Sequence, residues 1–259
     1  MDRGLAGRKA IVCASSRGLG KACARALAEA GCEVVINGRD AKTLAATAAE
    51  LSQLTGAKVI AVAADVATAD GQKALLTACP QPDILINNNA GPPLRDFREL
   101  SRQQMIDGLT ANMIVAVELI QKVIDPMLQR RFGRIVNITS GAVKAPLAGL
   151  DLSSGARAGL TAFLAGVART VADKNVTINN ILPGAFDTDR LRGTLSKAAE
   201  TRGKSIAQVA ADRINSIPAK RFGNPAEFGA ACAFLCSTHA GYITGQNLLI
   251  DGGSFPGAF

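Results

Sequence analysis

Cys13-Ala14-Ser15-Ser16-Arg17-Gly18-Leu19-Gly20 stands between an apolar run at 9–14 and an amphipathic run at 18–30. A strand that feeds a glycine-bearing turn, which in turn opens a helix, reads as a phosphate-binding βα unit. Gly18 and Gly20 let the backbone approach a pyrophosphate. The helix start beside them offers unpaired N–H groups and the positive end of the helix dipole. Ser-Ser-x-Gly-x-Gly also serves as a plain turn and cap, so the reading depends on what surrounds it.

Outward from that loop, short apolar runs at 33–37, 58–64, 83–87, 134–138, 177–181 and Asn247–Ile250 alternate with helical patterns. The helical patterns fall at 41–54, 72–79, 102–131, 153–173 and Pro225–Cys236. Counting the run at 9–14, the first six strands are apolar through their length, which suits strands covered on both faces. The alternation predicts an α/β fold, a doubly wound Rossmann-type parallel sheet of about seven strands with helices on both faces. Residues 1–259 read as one dinucleotide-binding domain. About forty residues separate the sixth strand from the last helix, a length that is usually functional. They hold Pro183-Gly184, a polar helical stretch at 187–203 and a second at 205–217. The expectation is a lid-like insertion at about 185–217 that covers a substrate.

Composition narrows the function. The 259-residue chain is 48% hydrophobic, which excludes disorder as its main state. Its formal charge is +8. The basic residues are scattered, with no run longer than Arg130-Arg131 and no basic stripe interleaved with aromatics, so nucleic acid is not expected as a partner. An anionic cofactor or acidic partner accounts for the charge equally well as a solvated surface does. No apolar run reaches the roughly 18 residues a membrane span needs. Residues 1–7 carry no secretory signal, so a cytoplasmic protein with reduced thiols is expected. The six Cys include no CxxC pair, and no metal site is expected. Cys232 and Cys236 sit four apart in an apolar helix and read as core packing.

A second loop agrees with the first. Asn88-Asn89-Ala90-Gly91 follows the fourth strand directly. In open α/β sheets ligands bind beyond the C-terminal ends of the strands, so this loop would line the same groove.

Taken together these motifs resemble the short-chain dehydrogenase/reductase family, over residues 5–253. The resemblance rests on the glycine loop, Asp65-Val66, Asn88-Asn89-Ala90-Gly91 and Asn112. It continues through Gly133-Arg134-Ile135-Val136-Asn137-Ile138-Thr139-Ser140, Pro183-Gly184, Tyr242-Ile243-Thr244-Gly245-Gln246 and Asp251-Gly252-Gly253. The chain is most similar to the 3-oxoacyl-acyl-carrier-protein reductase-like branch. The resemblance implies a carbonyl reductase or alcohol dehydrogenase acting on a small molecule, with an acyl-carrier-linked substrate among the candidates. Under it, Ser15, Arg17, Gly18, Leu19 and Gly20 form the phosphate loop. Asp65 bonds the adenine amino group with Val66 packed nearby, and Asn89, Ala90 and Gly91 line the groove. Pro183, Gly184, the Phe186 backbone and the Thr188 hydroxyl hold the nicotinamide end. Ser140 bonds the substrate oxygen, and Asn112 holds a water in a proton relay.

The sequence departs from the family at two places. The glycine loop, which usually begins Thr-Gly, has Cys13-Ala14; a negative φ at Ala14 would cost little, and the loop is expected to form. The family also carries a catalytic Tyr thirteen residues after the serine and a Lys four residues later. Those positions hold Ser153 and Arg157. The one Tyr, Tyr242, belongs to the C-terminal motif. A serine hydroxyl is a far weaker acid than a phenol, and Arg does not exchange protons as Lys does. Lys144, Ser153 or water would then complete the proton path, while Arg157 bonds the cofactor ribose. A non-catalytic dinucleotide-binding protein, or elimination or isomerisation chemistry on the same scaffold, remain alternatives.

The cofactor is expected to be NADP(H) rather than NAD(H). The second strand runs out through Val35-Ile36-Asn37-Gly38-Arg39 with no carboxylate before Asp40, and Arg17 and Arg39 could grip a 2′-phosphate. A homotetramer is expected from the resemblance, with the helices at 102–131 and 153–173 pairing across a two-fold axis. The second is rich in small residues.

Overall fold

The computed structural model describes residues 3–258. The chain runs β1 (Lys9–Val12), α1 (Gly18–Glu29), β2 (Glu33–Gly38), α2 (Ala41–Thr55), β3 (Val59–Ala63), α3 (Ala69–Ala78) and β4 (Ile84–Asn87). It continues through α4 (Arg102–Leu109), α5 (Val115–Arg130), β5 (Gly133–Ile138), α6 (Asp151–Val171) and β6 (Val176–Pro183). α7 (Asp189–Arg202), α8 (Ile206–Ser216), α9 (Pro225–Cys236) and β7 (Asn247–Ile250) complete it.

The seven strands form one parallel sheet in the order β3-β2-β1-β4-β5-β6-β7. This is the expected Rossmann-type α/β fold. Alternation along each strand explains why the runs are apolar throughout. Ala10, Val12, Val34, Ile36, Ile84 and Ile86 enter one core with α1 and α9, whereas Ile11, Val35, Leu85 and Ile135 enter the other with α5 and α6. The chain winds in opposite directions from β1 and β4, so a crevice opens between their C-terminal ends. The Cys232 and Cys236 side chains are fully buried in the first core, as the apolar helix predicts.

One buried polar feature crosses the sheet. Asn87, Asn137, Asn180 and Asn247 are paired in register on β4 to β7. Their side-chain amides bond in series: Asn87 Nδ2 to Asn137 Oδ1 at 2.9 Å, Asn137 Nδ2 to Asn180 Oδ1 at 3.0 Å, and Asn180 Nδ2 to Asn247 Oδ1 at 2.8 Å. Asn87, Asn137 and Asn180 are buried and need such partners, and the series runs from the C-terminal end of β4 to the exposed Asn247 at the start of β7.

The expected helix at 102–131 is two helices. A π-helical turn, Thr110–Ile114, separates α4 from α5. Asn112 Nδ2 donates to the Gly108 carbonyl at 3.1 Å, the acceptor that its own N–H would use in an unbroken α-helix. Such bulges favour functional positions. Between β6 and α9, α7 and α8 pack on each other through Leu195, Ala199 and Val209. Among the described residues no helix is long and apolar enough to cross a membrane.

Candidate active site

The glycine loop is held from below. Asn37 Oδ1 accepts from the Ala14 N–H at 3.3 Å and Asn88 Nδ2 donates to the Ala14 carbonyl at 3.1 Å. Ser15 is buried, and its hydroxyl donates to the Val12 carbonyl at 2.6 Å. Ala14 itself has φ +44°, so the condition under which alanine costs little there is not met. The loop geometry fixed by these bonds forces the left-handed region on an L-residue. Gly18 also has φ +60°. A β-carbon at Gly20 would stand 2.9 Å from Asn88 Nδ2 and 3.0 Å from the Ser15 Cα, so only glycine fits beneath the loop.

Arg17 is the N-cap residue of α1, yet no side chain caps that helix. The first-turn N–H groups are thus left without a side-chain cap from the N-cap residue, as suits a phosphate site. At the end of β2 the Asp40 carboxylate accepts from the Thr43 N–H at 2.6 Å and caps α2. Its pKa is lowered by that Thr43 cap and, less strongly, by the Arg17 charge nearby. Arg17 thus lies close to the end of β2, beside the exposed Arg39, and the one carboxylate there is engaged by its helix. Asp65 Oδ1 accepts from the Ala67 N–H at 2.9 Å, and Val66 is buried in the second core.

The second half of the site is built on α6. Its inward face carries Ser153, Ala156, Arg157, Leu160 and Leu164 at helical spacing. Arg157 Nη1 donates to the Ser153 hydroxyl one turn away, and the two side chains are only 7% and 3% exposed. Burial and then the charge of Arg190 lower the Arg157 pKa to about 10. The guanidinium stays charged at neutral pH.

Arg157 and Asn112 line one small, partly open pocket with Asn87, Asn88, Asn89 and Asn137. Two buried acceptors there, Asn112 Oδ1 and Asn87 Oδ1, have no hydrogen-bond partner among the described residues. Unpaired buried acceptors around a polar cavity are what an internal water satisfies.

Ser140 follows β5, and its hydroxyl accepts from the Ala142 N–H at 3.1 Å. Lys144 extends the same loop, with Nζ 5.5 Å from the Phe255 ring centre in the C-terminal segment. Its contact is with that segment rather than with the Ser153–Arg157 pair. Asn89 donates to the Ala111 carbonyl at 3.2 Å, tying the loop after β4 to the π-turn. Gly91 lies against the guanidinium groups of Arg157 and Arg190.

Pro183 ends β6 and Gly184 follows. Phe186 is buried edge-on against Phe228, ring centres 5.3 Å apart. The Thr188 hydroxyl accepts from the Leu191 N–H at 3.4 Å, capping α7. Its methyl group is the nearest neighbour of a β-carbon placed at Gly18, 3.9 Å away, so the start of α7 faces the glycine loop across the crevice.

The structure thus brings Ser153, Arg157, Asn112, Asn89 and Gly91 to one end of the sheet, with the glycine loop and Thr188 on the other side of the crevice. Two residues had been given no individual role from the sequence. Asn88 holds the glycine loop; its place after a strand was a usable signal. Arg190 reaches the site from α7, and no spacing in its polar surroundings announces this.

A doubly wound sheet, an uncapped helix N-terminus behind a glycine loop and a buried polar pair beyond the strand ends define a dinucleotide-binding α/β protein. The family described as Enoyl-(acyl carrier protein) reductase matches residues 13–254. The chain is 32% identical over 255 residues to the 3-oxoacyl-[acyl-carrier-protein] reductase FabG of Vibrio cholerae, covering 97% of this chain and 98% of that protein. It is 31% identical over 256 residues to the NADPH-dependent reductase BacG of Bacillus subtilis, covering 95% of this chain and 97% of the other. The crystal structure of L-sorbose reductase from Gluconobacter frateurii, complexed with NADPH and L-sorbose, superposes with a TM-score of 0.94 at 28% identity. That match covers 99% of this chain and 100% of the other. The chain belongs to the short-chain dehydrogenase/reductase family.

Proposed function

We propose that this protein is an NADP(H)-dependent oxidoreductase that reduces a carbonyl or oxidises a secondary alcohol on a small molecule, through an atypical site. The observation that carries this reading is the buried Ser153–Arg157 hydrogen bond beside the Asn112 cavity. Ser153 and Arg157 stand where the family's Tyr and Lys are expected. NADPH-dependent relatives support the cofactor assignment, as does an NADP-bound 3-oxoacyl reductase of Agrobacterium tumefaciens with a TM-score of 0.86.

When bound, the cofactor supplies hydride to the acceptor carbon. The chain's own residues bind, orient and polarise. The N–H groups of residues 18–20 hold the pyrophosphate, and Arg17 and Arg39 grip the 2′-phosphate. Asp65 and Val66 receive the adenine. Asn89, Ala90 and Gly91 line the groove, and Pro183, Gly184, Phe186 and Thr188 hold the nicotinamide end. Ser140 donates to the substrate oxygen, while the Arg157 charge stabilises negative charge that develops there. A proton reaches that oxygen from the Ser153 hydroxyl, from Lys144 or from a water held near Asn112. α7 and α8 serve as the lid over the substrate.

The same reading takes the protein as a homotetramer paired through α6. The open space at Gly155 and Gly166, and the half-exposed Phe163 on that helix, support a close helix–helix contact. A monomer mass by light scattering at micromolar concentration would remove that part. The function is tested by following NADPH oxidation with a panel of ketones. Binding of NADPH without turnover of any ketone or alcohol would favour a non-catalytic dinucleotide-binding protein.

A further inference from the structure

We propose that Arg190 is a cofactor-positioning residue: its guanidinium reaches across the groove from α7 and holds the cofactor phosphate on the nicotinamide side. The inference rests on the dinucleotide-binding part of the reading above and does not depend on which carbonyl compound is reduced.

Arg190 stands two residues after Thr188, whose methyl group faces Gly18 of the glycine loop across the crevice. From that wall the side chain reaches the opposite one. Arg190 Nη2 lies 2.8 Å from the point where a β-carbon at Gly91 would stand, and Arg157 Nη1 lies 3.2 Å from it. One long side chain therefore bridges α7 and the loop after β4, and glycine at position 91 leaves room for it.

Nothing in the chain neutralises this head. The nearest acids in sequence, Asp187 and Asp189, are both paired with Arg192, at 3.0 Å and 3.4 Å. Among the described residues no carboxylate forms an ion pair with Arg190 or Arg157, although eleven ion pairs occur elsewhere. Arg134 shows how this fold treats an arginine that is merely structural. It is fully buried, and its nitrogens donate to the Ser237 and Gly133 carbonyls and to both oxygens of Asn175. Arg190 has no such acceptors, and its charge falls instead on Arg157, a second cation. Two like charges drawn together are costly unless an anion joins them.

The cofactor read into this groove carries a 2′-phosphate and two bridging phosphates. Arg17 and Arg39 answer the first, and the N–H groups of residues 18–20 lie at the adenine side of the bridge. The remaining phosphate adjoins the nicotinamide ribose, which that reading gives to Arg157, with Thr188 holding the ring beyond it. Arg190 supplies the cation at that place that has no protein partner. The planar fork of a guanidinium suits two phosphate oxygens.

The test is calorimetric titration of three ligands. NADP⁺ carries every group. 2′-Phospho-ADP-ribose keeps both bridging phosphates but lacks nicotinamide. Adenosine 2′,5′-bisphosphate lacks the nicotinamide-side phosphate. Arg190→Met should weaken the first two at least about tenfold, the worth of one charge-assisted bond, and should change the third less than about threefold. Arg190→Lys should retain part of the lost affinity. Arg190 is exposed, so thermal unfolding of both variants should match the native protein. The assignment is overturned if Arg190→Met binds NADP⁺ as tightly as the native protein does, or if it weakens all three ligands alike. It is also overturned if NADP⁺ weakens while 2′-phospho-ADP-ribose does not, because Arg190 then serves the nicotinamide itself. A native protein that binds none of the three removes the dinucleotide reading and this assignment together. The expected pattern without turnover of any ketone upholds the assignment and removes only the reductase reading.

Discussion

Arg157 donates a hydrogen bond to the Ser153 hydroxyl from one turn further along α6, and the pair is sealed from solvent on the inward face of that helix. Among the described residues, the serine is the one hydrogen-bond partner of the guanidinium. Ser153→Ala should therefore destabilise the protein by about 1–3 kcal/mol, the cost of orphaning a buried donor. Arg157→Met removes the buried charge along with the bond and should cost less. Urea unfolding of both variants decides. A Ser153→Ala protein as stable as the native one would mean that the guanidinium is satisfied elsewhere.

Ala14 is held at φ +44° by the bonds from Asn37 and Asn88. An L-residue in that region carries roughly 1 kcal/mol of strain, offset partly by the greater chain entropy of glycine in the unfolded state. Ala14→Gly should raise stability by about 0.5–1 kcal/mol. Thermal unfolding monitored by circular dichroism checks the sign; a lower melting temperature would show that the loop is unstrained.

The end of β2 supplies Arg39 and one carboxylate already engaged in capping α2, with Arg17 of the glycine loop nearby. NADPH should bind at least about tenfold more tightly than NADH, since one charge-assisted hydrogen bond is worth about that much. Replacing Arg17 and Arg39 together with Ala should erase the preference. Equal affinities in the native protein would refute the NADP(H) assignment.

Asn137 sits at the middle of the amide ladder, where it both accepts and donates. Asn137→Ala orphans Asn180 Oδ1 and weakens the hold on Asn87, so a loss of at least about 2 kcal/mol is expected. A loss under about 0.5 kcal/mol, the size of an ordinary surface change, would mean that the ladder contributes register but little stability.

These sites differ in how far the sequence exposed them. The central strands β1, β2, β4, β5 and β6 were legible because both faces of the sheet are buried there, which writes continuous apolar runs into the chain; the edge strands β3 and β7 are more exposed. The glycine loop, Asn112 and the Ser153–Arg157 spacing were legible as motifs. The break at Thr110–Ile114 was not, because one extra residue per turn leaves the apolar spacing of α4 and α5 nearly undisturbed. The φ of Ala14 was hidden because residues 23 and 74 positions away impose it. Arg190 was hidden because α7 is polar almost throughout, and only the folded chain turns that side chain toward Gly91. Lys144 was placed near Ser140 by its number alone, and its contact lies with Phe255.

The central claim is that Ser153 and Arg157 form the working centre of an NADPH-dependent reductase. It is tested most directly by transfer of deuterium from 4-deuterated NADPH to the carbinol carbon of a reduced ketone. The native protein and the double variant Ser153→Tyr with Arg157→Lys should be compared side by side. The account predicts label on that carbon with the native protein, and a rate at least about tenfold higher with the variant, a fraction of the usual contribution of a positioned acid. No label from any ketone with either protein, both shown to be folded, would contradict it.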